Sequence, residues 1–473
     1  MNKQFDFIIV GAGPSGSTIS HILSNNKMKI ALIDRASNKK KGKKNFIFNP
    51  YVNSCPSFYT PSFSDQLGGN SALWHKKIYL LSKEEFKKGN WPFEYSELLK
   101  YSKILAKKVR VNHKYLIYEN LDSKNLYSQS IRANFSNVYD FFNINRNKNI
   151  KLFSNSSPIE ISYKNKNSVN GVKILNKNSN EIISLKVNKG IIFCAGGLGN
   201  THLLKNLFKE LDKMTGKNLC DHPHIQLNKI NSNEAKKYKK ISKIYLFSKQ
   251  KSGISKKGEF NSFVEHDKNF CGVQLASNID PTLLLSRLYL KTIFFNLSGS
   301  PFNYMKYIME PLMFITKILF KIYYEILNFF SKGGKYSFEF FFSQKKDKKN
   351  MVKINKNVVD EFGLKKIDIE WNINKTQLKM YQRLVDIFFK DSKKKIKIKN
   401  FYKNIYVGLH PSCMNSFAKQ KGNILDKNLK LKNKKNVYVC GSDVFPSNGF
   451  TNPTWTIMTL GTRLSFYLKK KFK

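Results

Sequence analysis

The chain has 473 residues, which is enough for two or three domains or for a nucleotide-binding domain with a second domain embedded in it. Hydrophobic residues make up 41% of it and aromatic residues 14%, so it can bury a large core. Its formal net charge of +51 comes almost entirely from lysines that are spread along the chain among asparagines. Because nucleic-acid sites usually cluster their charge and favour arginine, we interpret this excess as compositional bias and expect no nucleic-acid partner.

The cysteines and the first strand predict the cellular compartment. The six cysteines show no Cys-x-x-Cys pair and no disulfide framework, which fits a reducing environment. The first predicted strand begins near Phe5 and leaves no room for a signal peptide. The neighbouring Asp221 and His222 lack partner ligands at metal-binding spacing, so we expect no metal site. These features predict a cytoplasmic protein.

The opening stretch has the pattern of a dinucleotide-binding turn. An apolar run over 5–10 leads into the glycine-spaced turn 11–16 (GAGPSG), and residues 17–23 then have a helical pattern. A second apolar run, over 30–33, ends at Asp34. A strand, a glycine turn, a helix and a following acid form the dinucleotide fingerprint.

Each glycine of this turn has a physical task. Gly11 allows the tight turn, Gly13 lets the backbone approach a pyrophosphate, and Gly16 lets the helix pack closely on the strand. The helix N-terminus faces the phosphates with free N–H groups and a positive dipole end. Asp34 is expected to accept the ribose hydroxyls. The pattern predicts a dinucleotide site but does not name the dinucleotide.

Two more glycine-rich segments suit a backbone that passes close to a ligand. The stretch 66–74 (QLGGNSALW) has paired glycines between polar residues. The stretch 190–200 (GIIFCAGGLGN) repeats the order of a strand followed by glycines, and an ordinary βα turn is its alternative interpretation. Between them, short apolar runs over 149–174 predict the strands of a small β unit.

Residues 311–330 form a mainly apolar helical pattern in the part of the chain with the fewest recognisable motifs. The two lysines Lys317 and Lys321 lie on one narrow stripe, and together with Glu325 they argue against a membrane-spanning helix. A helix that is apolar around most of its circumference is either buried or lies in an interface. We predict a buried helix of a substrate domain, with peripheral membrane contact or a lid over the active site as alternatives.

The last third predicts a second sheet and then a return to the nucleotide side. Strands are predicted at 336–342, 350–354 and 367–371. An amphipathic helix follows at 376–389, and a buried strand ending near Cys440 leads through glycine and proline residues into a final helix. Asn452 and Pro453 suit the cap and first turn of that helix, so an N-cap is the simplest role for Asn452.

In chain order these motifs resemble those of the glucose–methanol–choline (GMC) family of FAD-dependent oxidoreductases, bacterial type. The segment 441–457 (GSDVFPSNGFTNPTWTI) is the most specific match, and 91–98 (WPFEYSEL) and 216–223 (GKNLCDHP) also resemble family motifs. The resemblance implies bound FAD and a mainly structural role for His222. Some relatives carry a flavin-linked histidine where this chain has Leu73, so the resemblance implies FAD that is held non-covalently. The implied cofactor contacts are Gly11, Gly13, Pro14, Ser15, Gly16, Asp34, Arg35, Gly68, Gly69, Asn70, Ser71, Ala195, Gly196, Gly441, Ser442, Asp443, Asn452, Pro453 and Thr454.

The resemblance also implies His410 and Asn452 as the catalytic pair. A histidine can take the hydroxyl proton as hydride leaves the substrate carbon, and an asparagine amide can hold the substrate oxygen. The family's glycine three places past the histidine is absent from 411–415, so we expect the loop after His410 to run differently. His75 and His222 are the alternatives for the base.

The predicted fold is α/β, with a Rossmann-like FAD-binding domain of the GMC type and an antiparallel-sheet substrate-binding domain. The FAD-binding domain takes 1–225, with a small β unit and cap elements at about 65–170, the substrate domain takes 226–400, and 401–473 returns to the FAD-binding domain. The predicted reaction oxidises an alcohol, sugar or polyol to a carbonyl, by a dehydrogenase rather than an oxidase, with the electron acceptor left open. The alternatives are a GMC-type lyase or decarboxylase acting on an apolar substrate and a non-catalytic, membrane-associated flavin-binding protein.

Overall fold

The structure is a computed structural model. It describes residues 3–36, 64, 66–72, 74, 77–116, 131–133, 137–230, 254–256, 261–266, 269–277, 336–389, 405–408, 410–417 and 423–473. The strands are β1 Lys3–Val10, β2 Ile30–Ile33, β3 Lys77–Ile78, β4 Ile131–Ala133, β5 Ile150–Phe153, β6 Ser156–Asn165, β7 Ser168–Asn176, β8 Glu181–Phe193, β9 Pro223–Ile230, β10 Ile254–Lys256, β11 Asn261–His266, β12 Asn269–Ser277, β13 Tyr336–Phe342, β14 Met351–Val359, β15 Lys365–Glu370, β16 Ile405–Val407 and β17 Val437–Val439. The helices are α1 Pro14–Ser24, α2 Lys83–Lys88, α3 Tyr95–Lys108, α4 Val138–Phe141, α5 Gly196–Leu207, α6 Lys375–Phe388 and α7 Thr454–Lys471.

The first sheet has the order β5-β2-β1-β8-β7-β6, and β17 also pairs with β8. The pairs β5–β2, β2–β1, β1–β8 and β8–β17 are parallel, whereas β8–β7 and β7–β6 are antiparallel. All four residues of β2 are buried, as expected for a parallel strand that is covered on both faces. The sheet therefore brings the carboxyl ends of β1, β2, β8 and β17 to one edge.

Helix α7 packs against both α1 and α3 beside this sheet. Small residues allow the close approach of α1 and α7, since a Cβ at Gly461 would lie 3.3 Å from the side chain of Ile19. Trp455 in the first turn of α7 is fully buried, and its indole N–H donates to the hydroxyl of Ser102 in α3 at 2.8 Å. This contact positions the N-terminus of α7 at the same edge as the strand ends.

The structure revises the predicted small β unit over 149–174 at its first strand. Only β6 and β7 form an antiparallel extension, whereas β5 is a parallel strand that pairs with β2, with Ile30 opposite Ile150. The turn before β5 sets this pairing, because the Asn149 side chain donates to the Ser24 carbonyl at the end of α1. A four-residue apolar run does not reveal which neighbour it pairs with.

The second sheet is antiparallel and has the order β11-β12-β13-β9-β16. Alternate residues Phe338, Phe340 and Phe342 of β13 are buried and face α6, where Phe342 stacks on Tyr381 with ring centroids 4.3 Å apart. Three predicted strands and one predicted helix are confirmed, and most of their ends agree with the structure to within one or two residues. The predicted strands are at 336–342, 350–354 and 367–371, and the predicted helix is at 376–389. Strands β14 and β15 pair as a hairpin, and β3, β4 and β10 form a small third sheet.

The final segment divides between the two large sheets. Strand β16 is an edge of the second sheet and β17 belongs to the first, so the chain returns to the nucleotide side after 407. The predicted apolar helix over 311–330 lies outside the described residues. Within the part of the chain that the structure describes, no helix has the length and apolar character needed to cross a membrane.

Candidate functional site

The glycine-spaced turn joins the carboxyl end of β1 to α1. Gly11 has φ +104°, and a Cβ there would overlap the carbonyl oxygen of Cys194 just after β8. At Gly16 a Cβ would overlap the carbonyl oxygen of Gly11. Both positions therefore require glycine, because the strand, the turn and the helix pack too closely for a side chain.

Open space lies beside this turn, where a bound ligand would pass. A Cβ on Gly13 or on Gly196, the first residue of α5, would meet no described atom within 4 Å. The paired glycines approach from a third side, since a Cβ on Gly69 would lie 3.2 Å from the Cα of Gly13 and the Gly68 N–H donates to the Ala12 carbonyl at 3.1 Å. The three predicted glycine segments thus meet at the carboxyl edge of the parallel strands, where such sheets bind ligands.

The N-terminus of α1 is suited to an anion. Pro14 is its first residue, no side chain caps it, and its first turn contains no acidic residue. The Ser15 hydroxyl instead donates to the Cys440 carbonyl just after β17 at 2.9 Å, which ties the last strand to the turn. The free N–H groups and the positive dipole end of α1 therefore face the turn without a competing partner from the described residues.

Asp34 lies at the end of β2, beside the same turn. Its two carboxylate oxygens accept backbone N–H groups from Ala12 at 2.5 Å and from Ala36 at 2.7 Å. Burial raises the pKa of Asp34, and these two hydrogen bonds oppose the rise. Each carboxylate oxygen keeps a further lone pair, so the geometry allows the predicted bonds from ribose hydroxyls.

Arg35 makes a contact that the sequence does not predict. Its guanidinium donates to Asp360 at 2.7 Å and to the Ser157 hydroxyl at 3.1 Å, and it lies over the Phe362 ring at 4.7 Å from the centroid. These contacts join the β14–β15 hairpin to the first sheet. Cofactor binding by Arg35 stays a prediction, and its side chain has this structural task besides.

The segment with the paired glycines forms a 3-10 turn, Gly69–Ala72, that is held by its polar residues. The Ser71 hydroxyl donates to the Gly68 carbonyl at 2.6 Å and accepts the Val138 N–H of α4 at 3.1 Å. The Asn70 side-chain oxygen accepts the Ser64 N–H at 3.0 Å. These side chains hold the segment together and tie it to α4.

Tyr139 of α4 is a candidate cofactor contact that the sequence analysis does not name. Its hydroxyl is buried and has no hydrogen-bond partner among the described residues. Burial, followed by the charges of Asp140 and Asp34, raises the pKa of Tyr139 to about 12, so the hydroxyl lies within electrostatic range of Asp34. A buried hydroxyl requires a hydrogen-bond partner. The sequence of the four-residue helix α4 contains no local pattern that predicts this buried hydroxyl.

Asp443 connects the remaining predicted cofactor segments. The Asn200 side chain accepts the Ala195 N–H at 2.7 Å and donates to Asp443 at 2.8 Å, and Asn415 donates to the other Asp443 oxygen at 3.0 Å. Burial raises the pKa of Asp443 to about 7, against the effect of these hydrogen bonds.

Gly441 and Ser442 pack into the same network. A Cβ on Gly441 would lie 2.9 Å from the side-chain nitrogen of Asn200, and the Ser442 hydroxyl donates to the Pro411 carbonyl at 2.7 Å. The segment after β17 therefore contacts both α5 and the loop that carries His410.

Asn452, Pro453 and Thr454 lead into α7. The helix begins at Thr454, Pro453 precedes it in the helical region, and no side chain caps it. The interpretation of Asn452 as a simple N-cap is therefore not supported. Its catalytic role stays a prediction, and two residues earlier the Phe450 N–H donates to the buried Glu85 of α2 at 2.6 Å.

His410 is half-buried and is held through its main chain. Its N–H donates to both carboxylate oxygens of Asp221, each at 3.1 Å. Its ring meets the ring of His222 edge to face, with centroids 5.0 Å apart. The structure thus brings together His410 and His222, two of the three histidines that the sequence analysis named, and it adds Asp221 as a partner.

His222 is a buried, neutral imidazole. Its Nε2 lies 3.1 Å from the carbonyl oxygen of Asn448, so Nε2 carries the proton and donates. Burial first, and then the charge of His224, lowers the pKa of His222 to about 3, which makes it a poor base at neutral pH. The predicted structural role for His222 fits this state and stays a prediction.

The loop after His410 takes a definite course despite its unusual sequence. Cys413 occupies the place of the family's glycine and has φ +71°, in the left-handed region that glycine favours. Ser412 and Cys220 exchange backbone hydrogen bonds of 2.9 and 3.1 Å, and the Cys413 N–H donates to the Ser442 carbonyl at 3.2 Å. The loop is therefore anchored on both sides of the site. Leu73 and His75 lie outside the described residues.

Comparison with known proteins agrees with this architecture. Residues 345–461 match the family model described as GMC oxidoreductase. A variant of the formate oxidase of Aspergillus oryzae RIB40, studied for FAD modification, has a TM-score of 0.60 and 12% identity over 99% of each chain. Another variant of that oxidase has a TM-score of 0.60 and 13% identity over 100% of this chain and 99% of its own.

A second solved protein, pyridoxine 4-oxidase from Mesorbium loti, has a TM-score of 0.60 and 12% identity over 98% of this chain and 99% of its own. At such identities the likeness shows the fold, and the predicted fold class is confirmed. No curated protein matches the chain significantly. Among the described residues, no group of three or more His, Cys, Asp or Glu side chains is placed to hold a metal ion.

Proposed function

We propose that the chain is a GMC oxidoreductase, as the match of its residues 345–461 to that family model indicates, and that it binds FAD and oxidises an alcohol, sugar or other CH–OH substrate to a carbonyl. The observation that carries the proposal is the meeting of three glycine segments around open space at the carboxyl edge of the first sheet. The loop with His410 and the segment with Asn452 are linked to that edge through Ser442 and α7.

The residues present fit a dinucleotide such as FAD. Gly13 and Gly196 leave room for a pyrophosphate, and α1 offers uncapped N–H groups beside it. The unpartnered Tyr139 hydroxyl and the remaining lone pairs of Asp34 are polar groups that a bound dinucleotide would satisfy. We propose that FAD is held non-covalently, since Leu73 stands where some relatives have a flavin-linked histidine.

Bound FAD would supply the hydride acceptor. In this proposal His410 takes the hydroxyl proton, because an imidazole is the side chain best matched to proton transfer near neutral pH. Asn452 donates its amide N–H to the substrate oxygen and so orients the reacting C–H bond. The uncapped N-terminus of α7 places a positive dipole end next to Asn452, where it stabilises developing negative charge.

An anaerobic absorbance titration tests the proposal. The purified protein is titrated with sugars, polyols and fatty alcohols while the flavin band is followed, and the series is repeated with His410→Ala. We expect one substrate class to bleach the flavin, and we expect the rate to fall by about 100-fold or more in His410→Ala because the general base is lost. His21→Gln, in the last turn of α1, is the matched histidine control and should bleach like the wild type.

Each contrary outcome points elsewhere. A yellow protein that no alcohol bleaches would contradict the oxidoreductase proposal and favour the lyase or the non-catalytic alternative, and a colourless protein that takes up no FAD would contradict the cofactor site. Equal bleaching rates in His410→Ala and wild type would remove His410 as the base.

The electron acceptor and the location are further parts of the proposal. We propose a dehydrogenase, although the two named neighbours are oxidases by name, so oxygen consumption during turnover is the deciding measurement. We also propose a cytoplasmic location. The proposed membrane contact through 311–330 concerns residues outside the described part, and vesicle flotation with and without that segment would test it.

A further inference from the structure

Asp221 is a buried carboxyl group at the start of the second sheet. It is fully buried just before β9, and its oxygens accept the N–H of His222 at 2.6 Å and the N–H of His410 at 3.1 Å. Among the described residues, no lysine or arginine forms an ion pair with it. The charge of this carboxylate is stabilised by main-chain N–H groups, those of His410, His222 and Gly408.

The surrounding hydrogen bonds hold this carboxyl group in place. The Gln344 side-chain oxygen accepts the Asp221 N–H at 2.9 Å and the Trp371 indole N–H at 2.9 Å. The Asn448 side chain donates to the Asp221 carbonyl, while the Asn448 carbonyl accepts the His222 Nε2–H. Three separate segments therefore fix the backbone on both sides of the carboxylate.

We propose that Asp221 is a positioning residue for His410, whose buried carboxylate fixes the main chain of the base and favours the protonated form of its imidazole. The inference rests on the proposed function, in which His410 accepts the substrate proton. An imidazolium forms at that step, and a carboxylate that is bound to the main-chain N–H of the same residue, in a site of low dielectric, lowers the energy of that charge. The same attraction makes His410 a stronger base.

The two groups are expected to titrate together. Burial raises the pKa of Asp221 to about 7, and the N–H groups of His410 and His222 oppose the rise. A proton on His410 favours the ionised form of Asp221, so the apparent pKa values belong to the pair. The other described titratable groups around the pair are His222, His224, Glu339, Cys220, Cys413 and Lys346.

The test measures the pKa of His410 directly and needs no substrate. The FAD-loaded protein is labelled with ¹³Cε1-histidine, its eight histidine signals are followed from pH 5 to 9, and the His410 signal is assigned by its loss in His410→Gln. In Asp221→Asn the pKa of His410 should fall by about one unit or more, because an opposite charge at short range has been removed. Glu160→Gln, which removes an exposed carboxylate paired with Lys173, should leave it unchanged.

An unchanged pKa of His410 in a folded, flavin-binding Asp221→Asn protein would overturn the inference. If that variant does not fold, linkage supplies the reciprocal measurement in His410→Gln. There the ¹³Cγ titration of Asp221 should move to higher pH, and a titration that does not move would overturn the inference equally. Because neither readout uses an alcohol, the proposed reaction could fail while this coupling holds, or the reverse.

Discussion

At the scale of single residues, buried carboxyl groups hold the backbone around the candidate site. Glu85 of α2 is 2% exposed, accepts the Ser82 N–H within a capping box, and also accepts the Phe450 N–H two residues before Asn452. A Cβ on Gly449 would overlap the Glu85 carboxylate, so this loop packs directly on it. Glu85 therefore links α2 to the segment that carries the predicted catalytic asparagine.

Glu85→Gln should lower the free energy of unfolding, and the loss should depend on pH. Burial raises the pKa of Glu85 from 4.5 to about 7, so the folded state binds the proton more tightly than the unfolded state. The contribution of this bound proton to the free energy of unfolding is fully present below pH 4.5 and is lost as pH rises through about 7. Glutamine does not titrate, so the wild type should lose on the order of 2 kcal/mol relative to the variant between pH 5 and pH 8, as measured by urea unfolding.

The matched control is Glu160→Gln in β6, which removes an exposed carboxylate paired with Lys173 of β7 and should change the free energy of unfolding by less than about 1 kcal/mol at either pH. If the difference in the free energy of unfolding between wild type and Glu85→Gln stays constant with pH, Glu85 is ionised in the folded protein throughout this range.

At the scale of elements, one ion pair joins the β14–β15 hairpin to the first sheet. Asp360 has a side chain that is 2% exposed and pairs with Arg35, while its other oxygen accepts the N–H groups of Phe362 and Leu364 in the turn. His202 of α5 lies beside the pair, with Nε2 3.7 Å from Asp360, and burial lowers the pKa of His202 to about 3. The hairpin turn thus contacts both Arg35, just after β2, and His202 of α5.

Asp360→Asn should destabilise the protein by about 2 kcal/mol or more, because it leaves the Arg35 charge without its partner in a mostly buried place. Asparagine retains the oxygen that holds the turn, so the loss reports the ion pair. Glu370→Gln breaks the exposed pair with Lys353 in the same hairpin and should cost less than about 1 kcal/mol in the same urea experiment. Equal losses in the two variants would contradict the assigned role of Arg35.

At the scale of the whole molecule, the lysine excess should act on stability through self-repulsion. The formal net charge is +51, and the lysines that carry it are spread along the chain. Salt screens such repulsion over about 10 Å at 0.1 M. We expect the urea midpoint to rise between 20 and 300 mM sodium chloride, and to rise equally in potassium chloride; a midpoint that falls with salt would show that net attraction dominates.

The sequence by itself determined the parts of this protein that depend on local backbone geometry. Gly11 and Gly16 mark the turn because a side chain at either position would overlap the backbone, and the alternation of Phe338, Phe340 and Phe342 shows which face of β13 is buried. These signals lie within a few residues of the structure that they specify. The fold class and the position of the predicted cofactor turn could therefore be predicted from the sequence.

Only the tertiary structure decided which distant groups meet. Asp221 and His410 are 189 residues apart, and Arg35 and Asp360 are 325 apart. Their contacts depend on the pairing of β9 with β16 and on the packing of the hairpin against the first sheet, and no local pattern encodes either of these. The pKa of a buried carboxyl group depends on those partners, so the electrostatics of the site follow from long-range packing rather than from residue type.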